Sequence, residues 1–149
     1  MESRTLPLPD LAATEALAAR VAAHARAGDA ILLSGPLGAG KSAFARAFLR
    51  AAAGDPGLDV PSPTFTLVQS YDLPGVVAHH FDLWRIAGPA DLAELGWEEA
   101  RAGIVLVEWP DRLGPLAPVA ALRIALAPGP EDGARIAELA GWPDRMARL

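Results

Sequence analysis

The stretch "AILLSGPLGAGKSAFARAFL", residues 30–49, contains Lys41, the only lysine among the 149 residues of the chain. Every other basic side chain is an arginine, so a lysine at this one position needs a chemical reason. The stretch opens with a short apolar run, 30–34, which is typical of a strand buried on both faces. A glycine-rich turn follows, and then a helical pattern that Gly54 ends. The order is strand, turn, helix.

The turn "GPLGAGKS", residues 35–42, matches the phosphate-binding pattern G-x-x-x-x-G-K-[ST] at every fixed position. Glycines allow the backbone to turn tightly and to point successive N–H groups at phosphate oxygens, and the next helix adds its free N-terminal donors. Lys41 would reach the β- and γ-phosphates as a slim point charge, for which arginine's planar fork is a poor substitute. Ser42 would place its hydroxyl on Mg²⁺. The alternative is a glycine-rich turn that matches by chance.

Two carboxylates follow apolar runs and are candidates for the metal and the attacking water. Glu108 ends the run 104–108, as in a Walker-B-type strand whose tip lies beside the phosphate loop, and it could bind Mg²⁺ directly or through water. A surface carboxylate that ends a strand is the alternative. Asp82 ends another apolar run and could order metal-bound water or act as a general base. It could equally cap a helix or pair with Arg85.

Thr64 lies in the proline-bounded loop "SPTFT" between the second helix and the next strands. Such a loop could respond to a γ-phosphate as switch segments do, or it could be a rigid turn leading into a strand. His79 and His80 are adjacent, so on a strand they point to opposite faces. That spacing is wrong for chelation, and at least one of the two is expected to be structural.

The remaining pattern predicts an α/β protein. Residues 9–29 read as a helix, 64–85 as a hairpin that turns at 72–75, 89–103 as a helix and 103–109 as a buried strand. Residues 121–141 indicate a terminal hairpin, although 134–140 could also be a short helix. We expect a P-loop NTPase-like three-layer sandwich with a central mixed, mainly parallel sheet, formed by a single domain over 1–149.

Composition limits the possible functions. Hydrophobic residues make up 52% and charged residues 21%, which favours a globular chain over disorder. The absence of cysteine excludes disulfides and thiolate metal sites. A net charge of −5 gives no general attraction to nucleic acid. The N-terminus lacks the pattern of a signal peptide, and no apolar run approaches the roughly 20 residues that cross a bilayer. A cytoplasmic protein is expected.

Four segments together, "GPLGAGKS", "SPTFTLVQSY", "HFDLWR" and "LVEWPDRL", resemble the bacterial TsaE (formerly YjeE) family, the ATPases of tRNA threonylcarbamoyladenosine biosynthesis. The resemblance covers almost the whole chain. It implies a weak ATPase that binds ATP or ADP with Mg²⁺ and acts with a threonylcarbamoyl transferase subunit and its inactive paralogue (TsaD and TsaB type). The resemblance further implies that together these would modify the adenosine beside the anticodon of ANN-decoding tRNAs, and that hydrolysis would reset the complex between turnovers.

The resemblance also implies roles for individual residues. Catalysis would involve Lys41, Asp82, Glu108 and Thr64, and Ser42 with Glu108 would hold the metal. Thr14 and Arg135 would lie near the nucleotide base. Two positions depart from the family pattern: Ser42 stands where threonine is usual, and Trp84 where tyrosine is common. The phosphate site would comprise Gly38, Ala39, Gly40, Lys41, Ser42 and Ala43.

Two other functions fit the motif. A small-molecule kinase of the same fold needs an acceptor pocket and usually an arginine-bearing lid, for which "PGPEDGAR" is the nearest and a short candidate. A nucleotide-gated binding module would have no use for two carboxylates at the metal. If tRNA is the substrate, Arg46, Arg50 and Arg85 could contribute contacts, although solvated surface positions are their default interpretation.

Overall fold

A computed structural model describes residues 3–149. Its centre is one seven-stranded sheet in the order β1-β7-β6-β2-β5-β4-β3. The pairs β6–β2, β2–β5 and β5–β4 are parallel, and the outer pairs β1–β7, β7–β6 and β4–β3 are antiparallel. The strands are β1 Ser3–Leu8, β2 Ala30–Ser34, β3 Val68–Leu73, β4 Val76–Asp82, β5 Ile104–Glu108, β6 Leu122–Pro128 and β7 Arg135–Ala140. The mixed sheet with a parallel centre confirms the predicted fold class.

Two helices cover one face of this sheet. Helix α1, Leu11–His24, begins after Asp10, whose carboxylate accepts the N–H of Ala13 at 2.9 Å. Helix α2, Lys41–Ala53, ends at Gly54, which adopts the left-handed conformation. The two helices pack on each other and on the inward-facing side chains of the central strands, forming the larger of two apolar clusters.

Shorter helical segments cover the other face. A 3₁₀ segment, Pro89–Leu95, is followed by helix α3, Trp97–Ala100, and a second 3₁₀ segment spans Pro110–Leu116. The prediction of a single helix over 89–103 is therefore wrong. The segment is divided at Gly96, because a φ of 75° cannot continue a right-handed helix. These segments bury the second apolar cluster, which completes the three layers.

At the end of the sheet that contains β1, one prediction is confirmed and one strand was not predicted. The terminal segment forms the hairpin β6–β7, so the alternative of a helix over 134–140 is excluded. Strand β1 was not predicted from the sequence, and it pairs with β7 along the edge. Among the described residues, no helix combines the length and the apolar character that crossing a membrane requires.

Candidate phosphate and metal site

The parallel centre of the sheet brings the predicted residues together at the carboxyl ends of its strands. Strands β2, β4 and β5 all end there, and β4 and β5 are in register so that Asp82 faces Glu108. The loop from β2 to α2 passes over the same strand ends, and α2 begins at Lys41. In open α/β sheets, ligands usually bind outside the carboxyl ends of parallel strands, at the point where the strand order reverses. A cavity of about 270 Å³ lies at this point.

The cavity is lined by most of the residues that the sequence singled out. Thr64, Asp82, Glu108 and Arg135 come from four separate parts of the chain and meet the phosphate loop here. Ala39 is buried beneath the loop. Thr14 is also buried, in α1, and does not belong to the described lining of the cavity, so its role near a base stays a prediction. The lining consists of Leu37, Gly38, Gly40, Lys41, Ser42, Ala43, Thr64, Asp82, Glu108, Trp109 and Arg135.

The phosphate loop leaves the start of α2 available to an anion. Gly38 and Gly40 have φ angles of 79° and 102°, which turn the backbone tightly into the helix. None of the described side chains caps the N-terminus of α2. Its first N–H groups and the positive end of the helix dipole therefore remain available to an anion in the cavity. Arg135, from β7, donates to the carbonyl of Gly38 at 2.9 Å and supports the loop from outside.

Lys41 is 5% exposed and its ammonium group lies at the floor of the cavity. Nζ donates to the carbonyls of Gly35 and Pro36 and lies 3.7 Å from the centre of the Trp109 ring. Burial lowers the pKa of Lys41, and the carboxylates of Glu108 and Asp82 oppose that shift. The side chain is thus a desolvated cation held by carbonyl oxygens and an aromatic face, well suited to neutralise a buried anion.

Ser42 and Glu108 form the predicted metal pair. Ser42 Oγ donates to Glu108 Oε1 at 3.2 Å, and Glu108 itself is buried. Within the described residues, no group of three or more His, Asp or Glu side chains could hold a metal. A hydroxyl with one carboxylate suits Mg²⁺, which keeps several waters and shares its coordination with substrate phosphates. The residues present therefore fit a magnesium ion that arrives with a nucleotide.

Asp82 and Thr64 form a second pair across the cavity. Thr64 Oγ1 donates to Asp82 Oδ2 at 3.3 Å, and the backbone N–H of Trp84 donates to Oδ1 at 3.0 Å. Ser62 lies 2.7 Å from Thr64 through their hydroxyls. Arg85, suggested as a partner of Asp82, instead holds its guanidinium 4.7 Å from the centre of the Phe65 ring. Asp82 therefore has a fixed orientation beside the site.

One contact of the site was missed in the sequence. His80 Nε2 lies 2.7 Å from Glu108 Oε2, in a contact between two buried side chains. The alternation of β4 could have suggested it, because His80 lies two residues before Asp82 and therefore on the same face. Trp84 packs on Trp109 with ring centres 4.4 Å apart, so the indole at this departure from the family pattern has a packing role.

Comparison with known proteins supplies the family. The model of the family described as "Threonylcarbamoyl adenosine biosynthesis protein TsaE" matches residues 8–136. The chain belongs to the TsaE family. A TsaE of Rickettsia bellii, named tRNA threonylcarbamoyladenosine biosynthesis protein, is 35% identical over 114 residues, which is 76% of this chain and 78% of that protein.

Other TsaE relatives extend the comparison. The Rickettsia felis protein of the same name is 39% identical over 97 residues, and the match spans 64% of this chain but only 56% of the relative's length. The crystal structure of Bacillus subtilis YdiB superposes with a TM-score of 0.75 and 25% identity, over 97% of this chain and 88% of that one. The likeness in sequence to TsaE proteins is thus accompanied by a likeness in fold to YdiB.

Proposed function

We propose that the chain is a magnesium-dependent ATP-binding and ATP-hydrolysing subunit that is required for the formation of N6-threonylcarbamoyladenosine at position 37 of tRNAs reading ANN codons. It acts with a threonylcarbamoyl transferase subunit and the inactive paralogue of that subunit, and hydrolysis resets the complex between turnovers. The observation that carries the proposal is the meeting of Lys41, the Ser42–Glu108 pair and the Thr64–Asp82 pair in one cavity. Membership of the TsaE family supplies the pathway.

Each residue has a distinct task in this proposal. The backbone of the phosphate loop and the N-terminus of α2 bind the phosphates, and Lys41 neutralises charge on the β- and γ-phosphates. Ser42 and Glu108 would hold Mg²⁺, which supplies electrostatic stabilisation of the transferring phosphoryl group. Asp82 orients the attacking water and accepts its proton, held in place by the N–H of Trp84. Thr64 links that carboxylate to the loop 62–66.

A second cavity supports a proposal for where the base would bind. This more apolar cavity, of about 430 Å³, shares Arg135 with the phosphate site and is lined also by Pro7, Pro9 and Ile136. An apolar lining beside a guanidinium suits a nucleobase, which stacks on such groups. Arg135 would therefore support the phosphate loop on one side and contact the base on the other.

The test is the rate of ATP hydrolysis by the chain alone, with the two partner subunits, and with those subunits and tRNA. We expect slow hydrolysis alone and faster turnover with the partners. Glu108→Ala should abolish turnover and leave part of the nucleotide affinity, because the phosphate loop is unchanged. Rapid hydrolysis by the isolated chain without any response to the partners would contradict the proposal, as would a specific small-molecule acceptor for the γ-phosphate.

A further inference from the structure

His80 is a buried imidazole, and within residues 3–149 its ring has one polar partner. It is 2% exposed, and its Nε2 lies 2.7 Å from Oε2 of Glu108. Among the described residues, its other ring nitrogen, Nδ1, has no hydrogen-bond partner. A buried polar ring costs free energy that an aliphatic side chain at the same position would not. The contact with Glu108 is therefore what a histidine provides at this position and an aliphatic residue would not.

The contact fixes the orientation of the Glu108 carboxylate. A carboxylate accepts hydrogen bonds, so Nε2 of His80 carries a proton and donates it to Oε2 of Glu108. With Oε2 held by His80, the other oxygen, Oε1, is turned to Ser42 Oγ at 3.2 Å. The two oxygen ligands then lie side by side, where a hard divalent cation would bind them together.

The sheet makes this arrangement possible. His80 and Asp82 lie two residues apart on β4 and share one face, and β5 runs parallel beside it with Glu108 opposite Asp82. The neighbouring His79 points to the opposite face, where its Nδ1 lies 2.8 Å from Ser70 Oγ on β3. The two histidines therefore have separate surroundings, and only His80 reaches the metal pair.

From this geometry we propose that His80 is a positioning residue, which holds Glu108 in the orientation that binds Mg²⁺ with the nucleotide. Hydrogen-bond donors to metal ligands act in this way, and their removal typically costs about 10–100-fold in metal affinity. The inference rests on the proposed function, since it assigns His80 to the magnesium site of that function. It gives His80 no contact with the nucleotide.

The experiment compares His80→Phe, which fills the space without a donor, with His80→Gln, whose amide N–H can replace Nε2–H. His79→Gln is the matched control on the other face. Affinity for a non-hydrolysable ATP analogue is measured at pH 7.5 in EDTA and across a Mg²⁺ titration. We expect unchanged affinity in EDTA for all variants. The Mg²⁺ concentration at the midpoint of the titration should rise about 10–100-fold in His80→Phe. It should fall most of the way back to the wild-type value in His80→Gln, and it should equal the wild-type value in the control.

Several results would overturn the inference. One is a wild-type Mg²⁺ midpoint in His80→Phe, and another is an equal loss of affinity in EDTA and in Mg²⁺, which would show a structural role only. If His80→Phe does not fold, nitrogen-15 NMR of the wild-type imidazoles decides: we expect His80 protonated at Nε2 and shifted by Mg²⁺ with the analogue, and a ring protonated at Nδ1 instead contradicts the inference. If the wild type itself shows no Mg²⁺-dependent affinity, the proposed function fails, not this assignment alone.

Discussion

The ammonium group of Lys41 occupies a space that suits a slim cation. It lies between two carbonyls of its own loop and the face of Trp109, and only 5% of the residue is exposed. A planar guanidinium has five donors in a wide fork, which this space could neither admit nor satisfy. This explains why the chain, which uses arginine at every other basic position, keeps a lysine here.

The backbone of Trp109 is strained, and the strain places its side chain in the site. Its φ and ψ are 58° and 54°, a left-handed conformation that costs a non-glycine residue about 1–2 kcal/mol. In return the indole is placed over Lys41 and against Trp84. Backbone strain held in this way is concentrated at functional sites, which agrees with the position of Trp109 in the lining of the cavity.

The stack of Trp84 on Trp109 predicts how the departure from tyrosine behaves. Trp84→Tyr keeps an aromatic ring on Trp109, so it should cost less than about 1 kcal/mol in the free energy of unfolding. Trp84→Ala removes the ring and should cost about 1–2 kcal/mol, although the wild-type side chain is 44% exposed. Urea denaturation measures both. An alanine variant as stable as the wild type would show that the stack is energetically unimportant.

The phosphate loop packs tightly against a neighbouring strand. Gly35 has a φ of 140°, and a Cβ on it would overlap the carbonyl oxygen of Leu126 in β6. Gly38, in the same loop, has a φ of 79° but faces open space. The two glycines are thus required for different reasons, one for close approach of the backbone and the other for conformation alone.

Alanine substitutions separate these two reasons. Gly35→Ala should lower the free energy of unfolding by at least about 3 kcal/mol, since it adds overlap to backbone strain. Gly38→Ala should lower it by about 1 kcal/mol from strain alone. Denaturant titrations of the two variants give the comparison. Equal losses would mean that the contact between the loop and β6 is easily relaxed.

The hairpin β3–β4 contains a titratable group whose effect on stability has a definite sign. Burial lowers the pKa of His79 below its ordinary value of 6.5. The stability it contributes is therefore fully present above pH 6.5 and is lost as the pH falls through the lower pKa of the folded state. His79→Gln should reduce the loss of stability between pH 7.5 and pH 5, measured by thermal unfolding. An unchanged pH dependence would assign the loss to other groups.

The elements that could be predicted from the sequence are those whose signals are local. The apolar spacing of α1, the glycine after α2 and the apolar runs of β2 and β5 all act within a few residues. The segment 89–103 was misread because Gly96, which stops the helix from inside, was not taken as a boundary. Strand β1 was missed because it is largely exposed, contains Pro7 and pairs with a strand over a hundred residues away.

The functional site also divides into a part with a local sequence signal and a part that depends on distant strands. The phosphate loop is contiguous, so its glycines, Lys41 and Ser42 could be recognised together. The contact of Thr64 with Asp82 and that of His80 with Glu108 depend on which strands are neighbours. Strand order is a property of the whole sheet and has no local signal. The pairing of β4 with β5 is therefore what turned separate carboxylates into one site.

The net charge of −5 predicts how the whole molecule behaves toward tRNA. An acidic net charge gives no general attraction to the phosphate backbone, so the dissociation constant of the isolated chain for tRNA should be weaker than about 10⁻⁴ M at physiological salt. Fluorescence anisotropy with labelled tRNA measures this, with the partner subunits as the positive control. Micromolar binding by the isolated chain, with a steep salt dependence, would show that it contacts tRNA directly.

The claim that the loop before α2 binds a magnesium–nucleotide complex is tested most directly by calorimetric titration with ATP in the presence of Mg²⁺. We expect one site per chain in the wild type. Because hydrogen bonds from a charged group contribute about 1.5–3 kcal/mol, the affinity should fall by about 10–100-fold in both Lys41→Ala and Lys41→Arg. Arg46→Lys, on the exposed side of the same helix, should bind like the wild type. No heat with the wild type, or equal affinity in Lys41→Ala, would contradict the claim.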